Sequence, residues 1–361
     1  MNKYIKKIKP YSLTSHKAWE YAYKEDVLKL DWNEASTPPT PLVRERVKRL
    51  IEIGMFNWYP DVKRDEVLDL LQNYVGVKRE NLQYFASSDS LHEYIATMLL
   101  TVGKSVLVLG PTYDNFRLTC ESMGADVVFF QYDSDFSFNL NAFRQEILDK
   151  KPSLVYICNP NNPTGFLHSV ETIEALLKEF PLTYFLVDEA YYEFDKVTCK
   201  DLVMDYNNLL VTRTFSKAFA IANFRIGYLM SSTENIAVIN KIRNPKNISS
   251  FSQEAAIAVL SDIDYMEKYV RQVNESKAFF ARELELLLKD KAKIYAIAGN
   301  FVFIDFAESK YKNNFIESLE ENRIFVRNLS FDYKKGNYVR VTIGTQEQMG
   351  RVLRVIEEQY V

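Results

Sequence analysis

The feature that most constrains the fold is an alternation of short apolar runs with amphipathic stretches, which becomes regular near residue 85. Apolar runs of strand length occupy residues 106–109, 127–130, 154–157, 184–187, 209–211 and 226–229. Helical patterns fill the intervals between the first four runs, for example from Ser169, a predicted N-cap, to Phe180. This alternation is typical of an α/β fold in which helices flank a mostly parallel sheet.

The two ends of the chain have different patterns. The first forty residues look mainly irregular, and Thr40-Pro41 predicts a helix start with Thr40 as its N-cap. A long helical stretch covers about 262 to 291, and the remainder reads strand, helix, strand, strand, helix. We therefore expect an N-terminal arm that forms part of a smaller domain (1–40), a large domain (41–262) and a smaller α+β domain (263–361).

Composition excludes several function classes. The net charge of −3, with acidic and basic residues mixed throughout, gives no general case for nucleic-acid binding. No apolar run approaches the ~20 residues of a membrane span, and the basic N-terminus lacks the apolar core of a secretory signal. Three scattered cysteines predict a reducing, cytoplasmic setting, and no Cys/His group has the spacing of a metal site.

Two nucleotide-binding motifs are also absent. Gly103-Lys104-Ser105 ends like a P-loop, but Met98 stands where that motif needs a glycine. No two glycines are separated by a single residue, so the dinucleotide fingerprint is missing. These absences remove most of the support for a nicotinamide-dependent oxidoreductase.

Polar motifs follow several of the predicted strands. Small polar residues at 86–90 precede a helix, where free N–H groups can hold a phosphate or simply form a cap. The turn 159–165 follows a buried strand, and Asp188 ends the next one, where a carboxylate needs a positive partner. Lys217 follows the strand at 209–211 and precedes Arg225, an arrangement that suits a Schiff base beside a phosphate.

Together these motifs resemble a known family. Asn-Pro-Asn-Asn-Pro-Thr-Gly at 159–165, Asp-Glu-Ala-Tyr at 188–191 and Ser-Lys-Ala-Phe at 216–219, in this order, are similar to the fold-type I, pyridoxal-phosphate-dependent aminotransferases. The resemblance runs from Pro10-Tyr11 to Thr345 and is greatest to the histidinol-phosphate aminotransferases. It implies a PLP-transferase-like large domain, a homodimer, and two small-molecule substrates, an amino donor and an oxo acceptor.

The resemblance also implies a role for individual residues. Lys217 would carry the cofactor and move the substrate proton, Asp188 would keep the pyridine nitrogen protonated, and Tyr191 would contact the ring oxygen with Asn162. The remaining cofactor contacts it implies are Tyr113 stacked on the ring, and Ser88, Asp89, Ser216, Arg225 and the partner subunit's Tyr59 at the phosphate. No metal ion is expected.

Substrate contacts follow from the same resemblance. Arg340 matches an arginine that binds the substrate α-carboxylate, and Arg327 matches one that contacts a substrate phosphate, although it could equally form a surface ion pair. Tyr11 and Asn33 complete the expected substrate site.

The chain departs from the subfamily pattern at three places. Ala35-Ser36 follows Asn33-Glu34 where Asn-Pro is expected, Ser90 replaces an acidic residue, and Asn223-Phe224 replaces Gly-Leu. The first departure lies close to the expected substrate pocket. We therefore predict amino transfer between glutamate and a histidinol-phosphate-like amine. An aminotransferase for another phosphorylated substrate and a decarboxylase of a phosphorylated amino acid, similar to threonine-phosphate decarboxylases, remain open.

Overall fold

The fold is built from two sheets and the helices that cover them. The computed structural model describes residues 1–10, 17–21, 26–133, 135–331 and 334–360. The strands are β1 (Leu28–Leu30), β2 (Leu82–Phe85), β3 (Ser105–Gly110), β4 (Asp126–Gln131), β5 (Leu154–Cys158), β6 (Tyr184–Asp188), β7 (Leu209–Thr214), β8 (Gly227–Ser231), β9 (Ala292–Tyr295), β10 (Phe301–Phe306), β11 (Ile324–Phe331) and β12 (Lys334–Thr342).

The helices alternate with these strands over the middle of the chain. They are α1 (Lys17–Glu20), α2 (Pro41–Ile53), α3 (Asp65–Val75), α4 (Ser87–Leu99), α5 (Asn115–Ser122), α6 (Leu140–Lys150), α7 (Val170–Glu179), α8 (Tyr192–Asp195), α9 (Thr233–Asn240), α10 (Ser250–Leu260), α11 (Ile263–Leu288), α12 (Ser309–Glu321) and α13 (Gln346–Tyr360). None of the helices in the described ranges is long and apolar enough to cross a membrane.

The large sheet has seven strands in the order β2-β8-β7-β6-β5-β3-β4. The strands from β4 to β7 pair in parallel, and β8 is antiparallel to both β7 and β2. The central strands β5 and β7 are buried along their whole length, as the continuous apolar runs predict for a sheet covered on both faces. The α/β class expected from the sequence is confirmed.

Helix ends follow the local sequence signals. The Thr40 hydroxyl accepts from the Leu42 amide, Pro41 occupies the first helical position of α2, and Gly54 closes the helix at φ 72°. Ser169 caps α7 by accepting from the Thr172 amide at 3.2 Å.

The smaller sheet has five strands in the order β1-β11-β12-β10-β9. One face packs under α11 and α12, which α13 packs against in turn, and the other face carries Phe303 and Tyr338 against Phe136 from the β4–α6 connection. The short strands β1 and β9 were not expected from the sequence, because three or four residues give too little periodicity.

The expected division of the chain at residues 41 and 263 stays a prediction. The parallel pairing of β1 with β11 supports its N-terminal part, because it places residues 28–30 in the smaller sheet.

Candidate active site

The carboxyl ends of the parallel strands bring the motif residues together. Asp188 is the last residue of β6, Lys217 follows β7, and Asn162 follows β5. Tyr113 lies beyond the end of β3 in the same layer of loops. In parallel sheets these ends form one edge, which is the usual position of a ligand site.

Lys217 holds an amine in a poorly solvated position. Its Nζ donates to the backbone oxygen of Trp32 at 2.9 Å. Burial is the main cause that lowers the pKa of Lys217 to about 8, and the positive charge of Arg340 is the second. A lowered pKa increases the fraction of neutral amine near physiological pH, and the neutral amine is the nucleophilic form.

Asp188 is a buried carboxylate held mainly by neutral donors. It accepts from the Tyr156 hydroxyl at 2.9 Å, the Ala190 amide at 3.2 Å and the Thr212 hydroxyl at 3.4 Å. The imidazole of His92 lies further away, with its Nε2 3.8 Å from Oδ2. Burial raises the pKa of Asp188. A cationic ligand group would therefore stabilise its charged form.

Three residues of this carboxylate network were missed at the sequence level. His92 and Thr212 bond to each other at 3.2 Å, and Tyr156 stacks on Phe116. The available signal was weak: a histidine on the buried side of α4 and polar groups inside apolar strands. Such residues are more commonly core positions with satisfied hydrogen bonds.

Asn33 and Tyr191 meet at the centre of the site. Asn33 Nδ2 donates to the Tyr191 hydroxyl at 2.9 Å, and burial raises the pKa of Tyr191. The backbone of Asn33 has φ 57°, and its side-chain oxygen accepts from Thr342 on β12 at 3.0 Å. The structure therefore joins the loop after β6 to the smaller sheet through Asn33.

Arg340 on β12 bridges both parts of the molecule. Its guanidinium donates to Asn162 Oδ1 at 2.5 Å and to the backbone oxygen of Asp31 at 2.5 Å. Arg340 is buried, and Arg327 lies directly opposite it on β11 and is half-buried. Residues opposite each other on antiparallel strands share a face, so the smaller sheet presents two cations side by side.

A third group of polar residues surrounds the first turn of α4. Arg225 donates to Asp89 at 3.0 Å and to the Ser216 hydroxyl at 3.4 Å, and the Tyr113 hydroxyl donates to Asp89 at 3.0 Å. This set could hold a phosphate, because it combines a cation, a hydroxyl and the helix N-terminus that begins with Ser87-Ser88.

Gly227 keeps this group compact. A Cβ at Gly227 would lie 2.8 Å from the Ser88 amide nitrogen and 2.8 Å from the Arg213 oxygen. Only glycine therefore lets β8 approach the start of α4 so closely. We call Ser88, Asp89, Ser216 and Arg225 around the start of α4 the cradle. Together with the buried carboxylate and the lysine, it forms a set of groups that fits pyridoxal phosphate.

One expected site residue, Tyr59, lies apart from this cluster. Tyr59 is 77% exposed on the connection between α2 and α3, with Lys246 Nζ 4.4 Å from its ring centre. Tyr11 lies outside the described residues. Within the described ranges, no three His, Cys, Asp or Glu residues are grouped as metal ligands.

Comparison with known proteins gives consistent matches along the chain. The sequence profile described as aminotransferase class I and II matches residues 25–356. A dihydroxyacetone phosphate transaminase of Campylobacter jejuni is 40% identical over 359 residues, covering 99% of this chain and 96% of that protein. A histidinol-phosphate aminotransferase of Ruminiclostridium cellulolyticum is 34% identical over 340 residues, covering 93% of each chain.

A solved structure agrees at the level of the fold. The histidinol-phosphate aminotransferase of Sinorhizobium meliloti, crystallised with pyridoxal-5'-phosphate, has a TM-score of 0.84 at 24% identity, covering 92% of this chain and 90% of that one. The profile match and the full-length relatives agree with the strand-end motifs and with the lysine, carboxylate and cradle that those motifs form. The chain belongs to the class I and II aminotransferases, a family of pyridoxal-phosphate-dependent enzymes.

Proposed function

We propose that the protein transfers an amino group between an amino acid, with glutamate as the first candidate, and a small phosphorylated ketone, with dihydroxyacetone phosphate as the first candidate. The observation that carries the proposal is the cross-strand pair of Arg327 and Arg340, in which the charge of Arg340 acts on Lys217. Similarity to the Campylobacter transaminase over nearly the whole chain supports the ketone. The Ala35-Ser36 departure supports a substrate other than histidinol phosphate.

The proposed cofactor site uses the strand-end residues. Lys217 would attach the cofactor, Asp188 would face its pyridine nitrogen, and Tyr191 would face its ring oxygen with Asn162. The other proposed cofactor contacts are Tyr113 at the ring face and Ser88, Asp89, Ser216, Arg225 and the partner subunit's Tyr59 at the phosphate. When bound, pyridoxal phosphate supplies a ring that accepts an electron pair from the substrate carbon.

The residues of the chain supply binding and proton transfer. Lys217, with a pKa of about 8, would take the proton from the substrate carbon that bears nitrogen and deliver it to the cofactor. Asp188 would stay charged opposite a cationic nitrogen. That pairing offsets the burial that raises its pKa in the protein alone.

The two arginines suit both substrates in turn. Glutamate carries two carboxylates, and the phosphorylated ketone carries one dianion, so each can engage planar cations through paired N–H donors. Two partners of Arg340, Asn162 Oδ1 and the Asp31 carbonyl, are neutral oxygens. An anionic substrate would form stronger hydrogen bonds than these.

We also propose a homodimer in a reducing cytoplasm. The connection between α2 and α3 exposes large apolar side chains, Met55, Phe56, Trp58 and Tyr59. An apolar patch of this kind favours association between copies. The free, buried cysteines Cys120, Cys158 and Cys199 support the reducing compartment. Sedimentation of the loaded enzyme tests the assembly, and a monomer at micromolar concentration would overturn it.

The test is a pair of half-reactions followed by absorbance. Glutamate should convert the loaded enzyme to its aminated form, and dihydroxyacetone phosphate should reverse the change and yield a phosphorylated amino alcohol. Imidazole-acetol phosphate is the comparison acceptor, and release of carbon dioxide from threonine phosphate tests decarboxylation. If imidazole-acetol phosphate is a rapid acceptor and dihydroxyacetone phosphate is not, the proposed ketone is wrong. If carbon dioxide is released from threonine phosphate, the enzyme is a decarboxylase.

A further inference from the structure

A group of charged side chains lies within residues 29–34, at the end of β1 and around Asn33. Lys29 Nζ lies 2.9 Å from Asp31 Oδ1, contacts the Glu34 carboxylate, and sits 4.0 Å from the centre of the Trp32 ring. The Lys29 side chain is 19% exposed. Its charge is therefore held by two carboxylates and remains reachable by a solute.

The strand register places Lys29 on the face that carries the two arginines. Lys29 is aligned with Phe325 in the parallel pair of β1 and β11. Arg327 is two residues beyond Phe325 and is aligned with Arg340 on β12. Because residues two apart on a strand share a face, the smaller sheet presents three cations on one side.

This group acts electrostatically on the reacting lysine. Trp32, between Lys29 and Glu34 in sequence, supplies the oxygen that accepts from Lys217. The charges of Lys29 and Glu34 act in opposite directions on the pKa of Lys217, after the larger effects of burial and Arg340. The ion pair therefore belongs to the electrostatic surroundings of the reacting amine.

The two carboxylates that hold Lys29 differ in exposure to solvent. The Asp31 side chain is 1% exposed, whereas the Glu34 side chain is 32% exposed. Glu34 can turn into water at little cost, because an exposed carboxylate stays hydrated. Asp31 cannot leave its position without carrying a charge through the protein interior, so it keeps the ammonium directed when Glu34 moves.

We propose that Lys29 is a specificity-determining residue that binds the phosphate monoester of the incoming substrate, and that Glu34 occupies Lys29 until the phosphate displaces it. The inference rests on the proposed function and deepens it, because it assigns the phosphate to Lys29 together with Arg327. Lys29 exchanges one carboxylate for a dianion, and Glu34 passes to solvent. No covalent bond is formed or broken in this exchange.

The test measures binding of glycerol 3-phosphate, an unreactive phosphate monoester, to the cofactor-loaded enzyme by calorimetry. Loading matters because the cofactor's own phosphate then fills the cradle at α4. Lys29→Met should raise the Kd by about ten- to a hundredfold, the range for a lost hydrogen bond to a charged group. Lys29→Arg should stay within about threefold of the parent, because the charge is kept.

Glu34→Gln provides the opposite change. Removing the competing carboxylate should lower the Kd several-fold, whereas a merely structural ion pair would give no gain in affinity. The matched control is Lys178→Met, which breaks the Lys178–Glu174 pair (2.8 Å) on α7 and should leave the Kd unchanged. If Lys29→Met does not fold, Lys29→Arg and Glu34→Gln still decide the question.

Three results would overturn the inference: no binding to the parent enzyme, a Kd unchanged in Lys29→Met, or a Kd that Glu34→Gln does not lower. Failure of the proposed function has a different signature, namely no amine product from any phosphorylated ketone with the parent enzyme. If product forms but Lys29→Met keeps the parent kcat/KM for that ketone, only the assignment of Lys29 fails.

Discussion

Two neighbouring carboxylates, Asp188 and Glu189, occupy equally buried positions at the end of β6 but have different partners. Glu189 accepts from Arg213 Nε at 2.9 Å, the Cys199 amide at 2.7 Å and the Thr198 hydroxyl at 2.8 Å. Asp188 accepts from neutral donors, with His92 at 3.8 Å. One carboxylate has a guanidinium bonded to it, and the other faces the ligand site.

This difference separates a structural charge, Glu189, from Asp188, for which we propose a functional role. Arg213 is itself almost fully buried, and its Cζ lies 3.4 Å from the centre of the Tyr192 ring. The Glu189–Arg213 pair therefore connects the loop after β6 to β7. Charge pairs of this kind cost much to break. Burial raises the pKa of both carboxyl groups, but a bonded guanidinium opposes this effect at Glu189, whereas the groups bonded to Asp188 are neutral. Burial alone therefore does not identify an active-site carboxylate, whereas the identity of its partner does.

Loss of Lys217 should have the largest effect on the ligand-facing side. Lys217→Ala should abolish the visible absorbance of the bound cofactor and lower kcat/KM by about four orders of magnitude, because it removes both the attachment point and the base. Lys178→Ala is the control for a surface lysine. Amino transfer by Lys217→Ala at the parent rate would refute the assignment of the site.

Asp188→Asn should reduce activity with little change in stability. The amide cannot keep a pyridine nitrogen protonated, and we expect kcat to fall by about a hundred- to a thousandfold, as when a preorganised electrostatic contact is lost. The melting temperature should stay close to that of the parent, because no bonded cation is left unpaired. If the melting temperature falls as far as that of a Glu189→Gln variant, which breaks the bond to Arg213, Asp188 is structural as well.

Glu189→Gln should give the reverse result. It leaves the Arg213 guanidinium buried beside a neutral amide, and we expect a loss of about 3 to 5 kcal/mol in the free energy of unfolding. Urea denaturation measures it, and the double variant Glu189→Met with Arg213→Met should recover part of the loss. A cost below about 1 kcal/mol would mean that the pair behaves like a surface ion pair.

Glu193, next to the same arginine, should make stability depend on pH. Burial raises its pKa from 4.5 to about 7, against the opposing charge of Arg213. Between these values the folded protein binds more protons than the unfolded chain, so stability should decrease as pH rises from about 5 to 7. Glu193→Gln should remove this pH dependence, which amounts to a change on the order of 3 kcal/mol in the free energy of unfolding across the interval. An unchanged slope in urea titrations would count against the raised pKa.

Arg327→Ala should have the smallest effect and separates substrate choice from both carboxylates. We expect KM for the phosphorylated ketone to rise by about ten- to a hundredfold, with a smaller change for glutamate, because a dianion depends more on a second cation. Arg327→Lys keeps the charge and serves as the control. Equal losses for the two substrates would remove Arg327 from the phosphate site.

The sequence predicted the positions of Asp188 and Lys217 in the fold better than it predicted the surroundings of Asn33. Asp188 and Lys217 could be placed because each follows a continuous apolar strand, and parallel strands end at one edge. The observed bounds of α11 and α12 are also close to the predicted ones, because long periodic stretches carry strong signals.

Long-range pairing explains what the sequence could not show. Asn33 contacts Tyr191 and Thr342, residues far from it in the chain, and no local pattern encodes those contacts. The partner of Glu189 was equally hidden, because Arg213 lies within the next strand and no local pattern pairs the two residues. Lys29 belongs to a strand too short to give a periodic signal.

The short strand β1 has a mechanical consequence. Residues 28–30 are hydrogen-bonded into the smaller sheet, and two residues later the Trp32 carbonyl accepts from Lys217, which follows the large sheet. Any rigid-body rotation of one sheet against the other therefore stretches or shortens the contact that holds this amine. Because the charges of Arg340 and Lys29, both on the smaller sheet, also lower the pKa of Lys217, the proton affinity of this amine depends on the relative position of the two sheets.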